Sequence, residues 1–410
     1  MPETLHTPAE RNRLPIGVAL AGGGPLGGIY EVGALIALDE ALRGFRLTDC
    51  GTFVGVSSGA FFATGLANGL SPRAMHGMFI ESDKDDDPFE PEVLLRPAFK
   101  EYGLRIAAIP RLLKAGLLDY VRGGRKRKVA ASLRRLAQAL PAGIFDSAPL
   151  QAYMQRLAES RGFPDDFRKL RRKLYIVATD LDTSERVTFG SPGWDDIPVS
   201  QAVQASATLP GLFPPVKING RYYVDGALQK TLNASAALKD GVKLLFAFNP
   251  IVPYKADLPS DRIETESLAS RGLLAVLSQT FRSLIHSRMQ VGMERYRHLY
   301  PDADIVVIEP RQDDREMFFA NTFSYADRRR LCEHAYQQTR ADLLRRAGVL
   351  KPILSRHGLI LDESVLSDPS RTLMPHQEAG DPGLQGALQS LTDTLGKLEP
   401  LLLRLPEERT

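Results

Sequence analysis

Cysteine is scarce in this chain. Only Cys50 and Cys332 occur in 410 residues, far apart, which excludes a disulfide framework and any C-x-x-C metal pair. No stretch approaches the ~20 consecutive apolar residues needed to cross a bilayer. Neither charge sign dominates: 52 basic against 49 acidic residues leave a net charge of +3, which argues against a dedicated nucleic-acid binder. There is no repeat of fixed period and no low-complexity tract. The opening "MPETLHTPAERNRLP" is polar and lacks the apolar centre of a signal peptide. The expectation from these absences is a cytoplasmic protein.

What is present is a globular composition, 43% hydrophobic, with strand and helix patterns in alternation. "LPIGVAL" (Leu14 to Leu20) reads as a buried strand, followed by the glycine loop "AGGGPLGG" and a helical spacing from Ile29. "CGTFVGV" (Cys50 to Val56) reads as a second strand, running into a helix from about Ser58. Further strand candidates are Lys173 to Asp182, Glu185 to Gly190, Gly220 to Gly226, Val242 to Pro250 and Ala303 to Pro310. This alternation predicts an α/β fold with a mainly parallel sheet. Between about 81 and 145 it stops. Acidic residues give way to helical pieces and to the basic run Arg122, Arg125, Lys126, Arg127 and Lys128. That region reads as a helical insertion, either a cap over a site or a surface hairpin. Its basic run fits an anionic membrane surface or a solvated loop. Near the end, Leu384, Leu388, Leu391, Leu395 and Leu398 form a short helical seam, interrupted by Pro400. The seam fits docking on its own domain, a homodimer or a membrane surface.

Two motifs carry chemistry. Gly22, Gly24 and Gly27 satisfy G-x-G-x-x-G, a pattern shared by dinucleotide-binding loops. That reading requires an acidic residue at the end of the second strand to bind ribose hydroxyls. The strand end holds Gly55-Val56-Ser57 instead, and Asp49 precedes the strand. Gly55-Val56-Ser57-Ser58-Gly59 is a G-x-S-x-G at a strand-to-helix turn, the context in which such a serine is an exposed nucleophile. The helix beginning at Ser58 would aim its N–H groups and positive dipole end at a developing negative charge. The serine needs a base. Among seven histidines, His286 and His298 lie in a helical stretch in the order that a Ser–Asp–His arrangement would allow. Asp225, followed by Gly226 at a strand end, is the better candidate. Burial beside Ser57 would raise its pKa toward neutrality.

The ordered set of a G-G-G-x-x-G loop, a G-x-S-x-G and a late D-G-A resembles the patatin-like phospholipase family. "VATDLDTSERVTFG", "SQAVQASATLPGLFPPVKINGRYYVDGAL" and "FAFNP" look like connecting parts of its core. The resemblance covers roughly Ile16 to Pro310. It implies a three-layer α/β/α fold and a Ser–Asp dyad without histidine or metal, Ser57 being the nucleophile and Asp225 the base. It implies oxyanion-hole donors from Gly22, Gly23 and Gly24, with Ser58 adjoining, and hydrolysis of lipid acyl esters without a cofactor. Taken with the change of character along the chain after about Leu361, the expected division is an acyl hydrolase core at 14–312 with the insertion at about 81–145, a helical extension at 313–360, and a linker and tail helix at 361–410, to which nothing of the resemblance is carried over. One departure stands out. The family's basic residue before the last loop glycine is replaced by Leu26, after Pro25. The missing positive charge counts against anionic headgroup preference and removes part of the family's oxyanion stabilisation, and it leaves a non-catalytic lipid-binding role on the same fold as an alternative.

Overall fold

A computed structural model of the chain describes residues 14–81, 96–99, 101–103, 141–229, 232–255, 268–320 and 325–374. The basic run at 122–128, most of the insertion, and the leucine seam lie outside the described residues. The chain divides into two compact units, Met1–Arg371 and Thr372–Thr410. The sheet, its helices and the candidate site all belong to the first unit.

The elements follow the alternation of the sequence. Strand β1 (Ile16–Leu20) leads to helix α1 (Gly24–Ala41), a two-residue strand β2 (Leu42–Arg43), β3 (Thr52–Gly55), α2 (Ser58–Ala67) and α3 (Pro72–His76). After the insertion come α4 (Ala148–Arg161), β4 (Lys173–Asp180), β5 (Arg186–Phe189), α5 (Val199–Ser206), β6 (Val216–Ile218), β7 (Arg221–Asp225), α6 (Ala234–Lys239) and β8 (Leu244–Phe248). The last part comprises α7 (Leu273–Leu299), β9 (Asp304–Ile308), α8 (Arg315–Phe318), α9 (Tyr325–Arg345), α10 (Ala347–Arg356), β10 (Ile360–Leu361) and α11 (Glu363–Ser367).

The main sheet runs β6-β7-β4-β3-β1-β8-β9, with β5 paired to β4. Strands β4, β3, β1, β8 and β9 are mutually parallel, whereas β5, β6 and β7 join by antiparallel pairing. Every residue of β1, β3 and β8 is buried, which explains their unbroken apolar sequences: helices cover both faces of a parallel sheet. On one face, α6 and Tyr296 of α7 pack with Ala19, Val54, Tyr175, Val177 and Leu245. The alternate side chains, among them Val18, Phe53, Ile176 and Phe246, are equally buried. Helix α2 packs on β1, β3 and β4, and α5 on β4 and β7, completing three layers. Strands β2 and β10 form a separate antiparallel pair, beside which Arg43 and Asp362 join at 2.7 Å.

One feature of the register positions the site. Ile176 pairs with Phe189 of β5 and with Gly55 of β3, so those two strands lie on opposite edges of β4. Ala178 pairs with Val187 of β5 and with Asp225 of β7, so β7 shares the edge used by β3. Strand β3 runs parallel to β4 and ends at Gly55. Strand β7 runs antiparallel and ends at Asp225. The two strands therefore meet end to end beside Val177, and both of their C-termini arrive there.

Candidate active site

The stretch after β3 turns sharply. Ser57 has φ 53° and ψ −125°, a positive-φ conformation that costs a non-glycine residue of order 1–3 kcal/mol. Its neighbours hold it there. The Ser57 N–H donates to Ser206 Oγ at 2.9 Å, and Ser206 Oγ donates to the Val177 carbonyl at 2.7 Å. The Ser57 carbonyl accepts from the Ala60 N–H at 3.0 Å. A Cβ on Gly59 would lie 2.4 Å from the Leu20 carbonyl oxygen, so the start of α2 closes directly onto the end of β1. Gly55 is packed as tightly against Ala60, and Gly226 against the Val177 carbonyl.

Asp225 arrives from the other side of the junction. Its N–H donates to the Thr208 carbonyl at 2.9 Å, and its carbonyl accepts from Thr179 Oγ1 at 3.2 Å. Its side chain caps the short turn after it, accepting the Ala227 N–H at 2.8 Å. The nearby Ser57 hydroxyl also favours the charged form of the carboxyl. Asp225 is 3% exposed. Burial pushes its pKa up from 3.8 to about 6, against the lowering effect of the Ala227 N–H and the Ser57 hydroxyl. The carboxylate is therefore mainly ionised at neutral pH, yet far more basic than a solvated aspartate.

The glycine loop lies against the serine. A Cβ on Gly22 would come within 2.7 Å of Ser57 Cβ, so only glycine leaves room for that side chain. The loop is pinned by the Ala21 N–H to Phe248 O at 3.0 Å and the Val56 N–H to Leu20 O at 3.1 Å. Pro250 backs Gly23 and Gly27. Helix α1 begins at Gly24, not at the periodic residue Ile29, because Pro25 suits the first helical turn. Gly24, at φ +60°, is thus a helix-start residue, and Gly27 and Gly28 are helical. Neither α1 nor α2 has a side-chain cap at its N-terminus. The leading N–H groups of both helices are intrinsically unpaired by helix geometry. Gly27, near the start of α1, lies beside Ser58, the first residue of α2. Leu26 sits half-buried in the first turn of α1.

The histidines have other partners. His286 Nε2 contacts the amides of Gln290 and Gln312, each at 3.1 Å, and His298 reaches Glu294 at 3.6 Å. Among the described residues, no histidine bonds to Ser57 or Asp225, and no three His, Cys, Asp or Glu side chains are placed to hold a metal. Asp49 lies ahead of β3 and faces Arg172, away from the strand end where a ribose would bind. An apolar cavity lined by Phe61, Phe62, Met75, Phe79, Met154 and Leu157 runs beside α2 and does not include Ser57. No helix among the described residues is long and apolar enough to cross a membrane.

Two residues that hold this arrangement carried no assignment from the sequence. Ser206, on the last turn of α5, fixes the serine turn, and Thr208 fixes the backbone of Asp225. Both lie in "QASATLP", a segment with no local motif. Their roles depend on contacts with residues 149 and 17 positions away.

Fold and site together define a three-layer α/β/α protein with a serine on a strained strand-to-helix turn and a buried aspartate at its side. The sequence model of the patatin-like phospholipase family matches residues 18–238, a span from β1 to α6 that contains both residues. The chain belongs to that family. A probable lipid hydrolase, 463L of Invertebrate iridescent virus 6, is 23% identical over 217 residues, covering 53% of this chain. The chain spans 61% of the length of that curated relative. Among solved structures, VipD from Legionella pneumophila aligns at 16% identity and a TM-score of 0.33, over 79% of this chain and 65% of that one. The ExoU–SpcU complex of the Pseudomonas aeruginosa type III secretion system aligns at 19% identity and a TM-score of 0.31, over 96% and 65%.

Proposed function

We propose that this protein hydrolyses fatty acyl esters of lipids, with Ser57 as nucleophile and Asp225 as its base. The observation that carries the proposal is the meeting of the ends of β3 and β7, which brings the serine turn and the buried Asp225 together beside Val177. Ser57 Oγ attacks the ester carbonyl carbon while its proton passes to the Asp225 carboxylate. Backbone N–H groups at Gly23, Gly24 and Ser58 receive the oxyanion, with Gly22 keeping the loop close to the serine. A single such donor contributes about 3–4 kcal/mol to the transition state. The tetrahedral intermediate collapses, and the departing alkoxide takes the proton from Asp225. Water then attacks the acyl-serine while Asp225 accepts its proton. Ser57 is released with that proton, and the fatty acid leaves.

The absence of a histidine contact among the described residues favours this dyad over a Ser–Asp–His arrangement. The reading is tested with a soluble p-nitrophenyl acyl ester and a fluorophosphonate probe. Wild type is expected to turn over the ester and to be labelled at Ser57. Ser57→Ala is expected to lose activity by about 10⁴-fold or more. A Ser57→Ala variant with full activity, or folded wild type that resists the probe, would sink the mechanism. A parallel panel of diacyl and monoacyl lipids separates phospholipase, lysophospholipase and simple esterase preferences.

A further inference from the structure

Helix α7 carries an apolar face that stays exposed among the described residues. Its inward side is formed by His286, Met289, Met293 and Tyr296, of which the last three pack on the sheet side. Its outward side reads Leu277, Phe281, Leu284, Arg288, Val291, Arg295, at alternating steps of four and three that align along one stripe. Leu277, Phe281, Leu284 and Val291 are 43%, 52%, 57% and 70% exposed. Single exposed apolar residues are ordinary, but several aligned on one helical stripe, interleaved with arginine, mark an interaction surface.

The helix is also tied to the loops that flank the serine. Arg288 Nη1 donates to the carbonyl of Leu228 at 2.9 Å, three residues beyond Asp225. Arg282 Nη1 donates to the carbonyl of Val252 at 3.4 Å, two residues beyond Pro250, which backs the glycine loop. Gln279 bonds both the N–H and the carbonyl of Tyr254, at 3.0 and 2.7 Å. A surface that seats α7 is thereby linked to both sides of the site.

We infer that the outward face of α7 is the surface by which this protein docks on anionic lipid. The charge on the helix selects that partner. The stripe itself carries two arginines, Arg288 and Arg295, and no acid; the helix's one acid, Glu294, engages Arg297 and His298, and Arg282 turns inward to Val252. A second copy packed on this stripe would bring Arg288 and Arg295 of two chains together with no carboxylate on either stripe. An anionic bilayer answers both features: the apolar side chains enter the acyl boundary, and the arginines stay among the headgroups. This inference rests on the lipid-ester reading of the site, and its test separates the two.

The full chain is sedimented with vesicles of phosphatidylcholine alone and of phosphatidylcholine with phosphatidylglycerol. Wild type is expected to bind the anionic vesicles, less so as salt is raised. Phe281→Ser combined with Leu284→Ser is expected to weaken binding by about tenfold or more. Hydrolysis of vesicle lipid should fall with it, while the soluble ester is turned over as before. Arg295→Gln should weaken binding to anionic vesicles by about fivefold and leave neutral vesicles unaffected. If the double variant does not fold, Val291→Ser at the most exposed position reads the same loss. Ser57→Ala should bind as wild type does, so a failure of the chemistry is seen apart from a failure of docking. Wild-type binding by the folded apolar variants, or no vesicle binding by wild type, overturns the inference. So does a dimer that the double variant dissociates without any loss of vesicle binding.

Discussion

The chain makes the same move twice on neighbouring strands. Strand β1 turns into α1 through Gly22 to Gly24, and β3 turns into α2 through Val56 and Ser57. Each turn contains one residue at positive φ, Gly24 at 60° and Ser57 at 53°. The difference lies in what surrounds that residue. Around Ser57 the packing is dense: Gly55 and Gly59 touch backbone, and Ser206 holds the N–H. Around Gly24 an added Cβ would meet nothing within 4 Å, and the residue is exposed. The first turn offers backbone to whatever approaches. The second forces one side chain into a fixed position. A hydrolase needs both, and the physical requirement on each differs: open N–H groups in one case, enforced strain in the other.

The largest test removes the partner that makes the enforced serine useful. Asp225→Asn keeps the shape and an oxygen for the Ala227 N–H, but supplies no base. Hydrolysis of a soluble ester is expected to fall by about 10⁴-fold. The wild-type kcat/KM should fall as pH drops through about 6, where Asp225 takes up its proton. Stability should move the other way. A carboxyl whose folded pKa is raised contributes most below its ordinary value, and that contribution is lost as pH rises through about 6. The rise from 3.8 to about 6 corresponds to about 3 kcal/mol. Urea unfolding should therefore show Asp225→Asn more stable than wild type at alkaline pH, with the advantage gone below about pH 4. An acid limb far from pH 6, or a variant no more stable at alkaline pH, would remove Asp225 from this role.

A smaller effect is expected where the two turns touch. Gly22→Ala places a methyl group 2.7 Å from Ser57 Cβ, and the serine side chain must move. Misplacement by about 1 Å lowers turnover by about 10²-fold. The signature is a loss in kcat for the soluble ester with slower fluorophosphonate labelling and little change in KM. Unchanged labelling would show that the loop yields instead of the serine, and the contrast between an open turn and an enforced one would weaken.

How much of the fold and site is legible in the sequence depends on the range of the interactions. The five parallel strands, α2 from Ser58 and the serine turn are written locally, in apolar runs and punctuating glycines. Strand β6 was also within reach. Asn219-Gly220, at φ 48° and 85°, is a hairpin signal between Ile218 and Arg221. The start of α1 at Gly24 comes from Pro25, whereas the apolar period placed it at Ile29. The meeting of β3 with β7 was not legible, since it depends on which edge of β4 each strand chooses. Asp225 was found as a residue at a strand end. That the strand is antiparallel, and ends facing β3, emerges only from pairing. Helix α7 was legible as a helix, but its exposed stripe depends on which side the sheet takes.

The smallest expected effect falls on the open turn itself. Gly24→Ala adds a methyl group into free space, so the only penalty is conformational: alanine at φ +60° costs about 1–2 kcal/mol relative to glycine. Alanine retains the N–H, so an oxyanion donor at this position survives. Thermal or urea unfolding should therefore register a loss of about 1–2 kcal/mol, while kcat for the soluble ester stays within a few-fold of wild type. This result would separate what two glycines two residues apart do: Gly22 makes room and Gly24 sets an angle. If Gly24→Ala instead lost activity as Gly22→Ala does, with stability intact, the first turn would be as tightly determined as the second. Its N–H groups would then owe their position to packing and not to the freedom of the backbone.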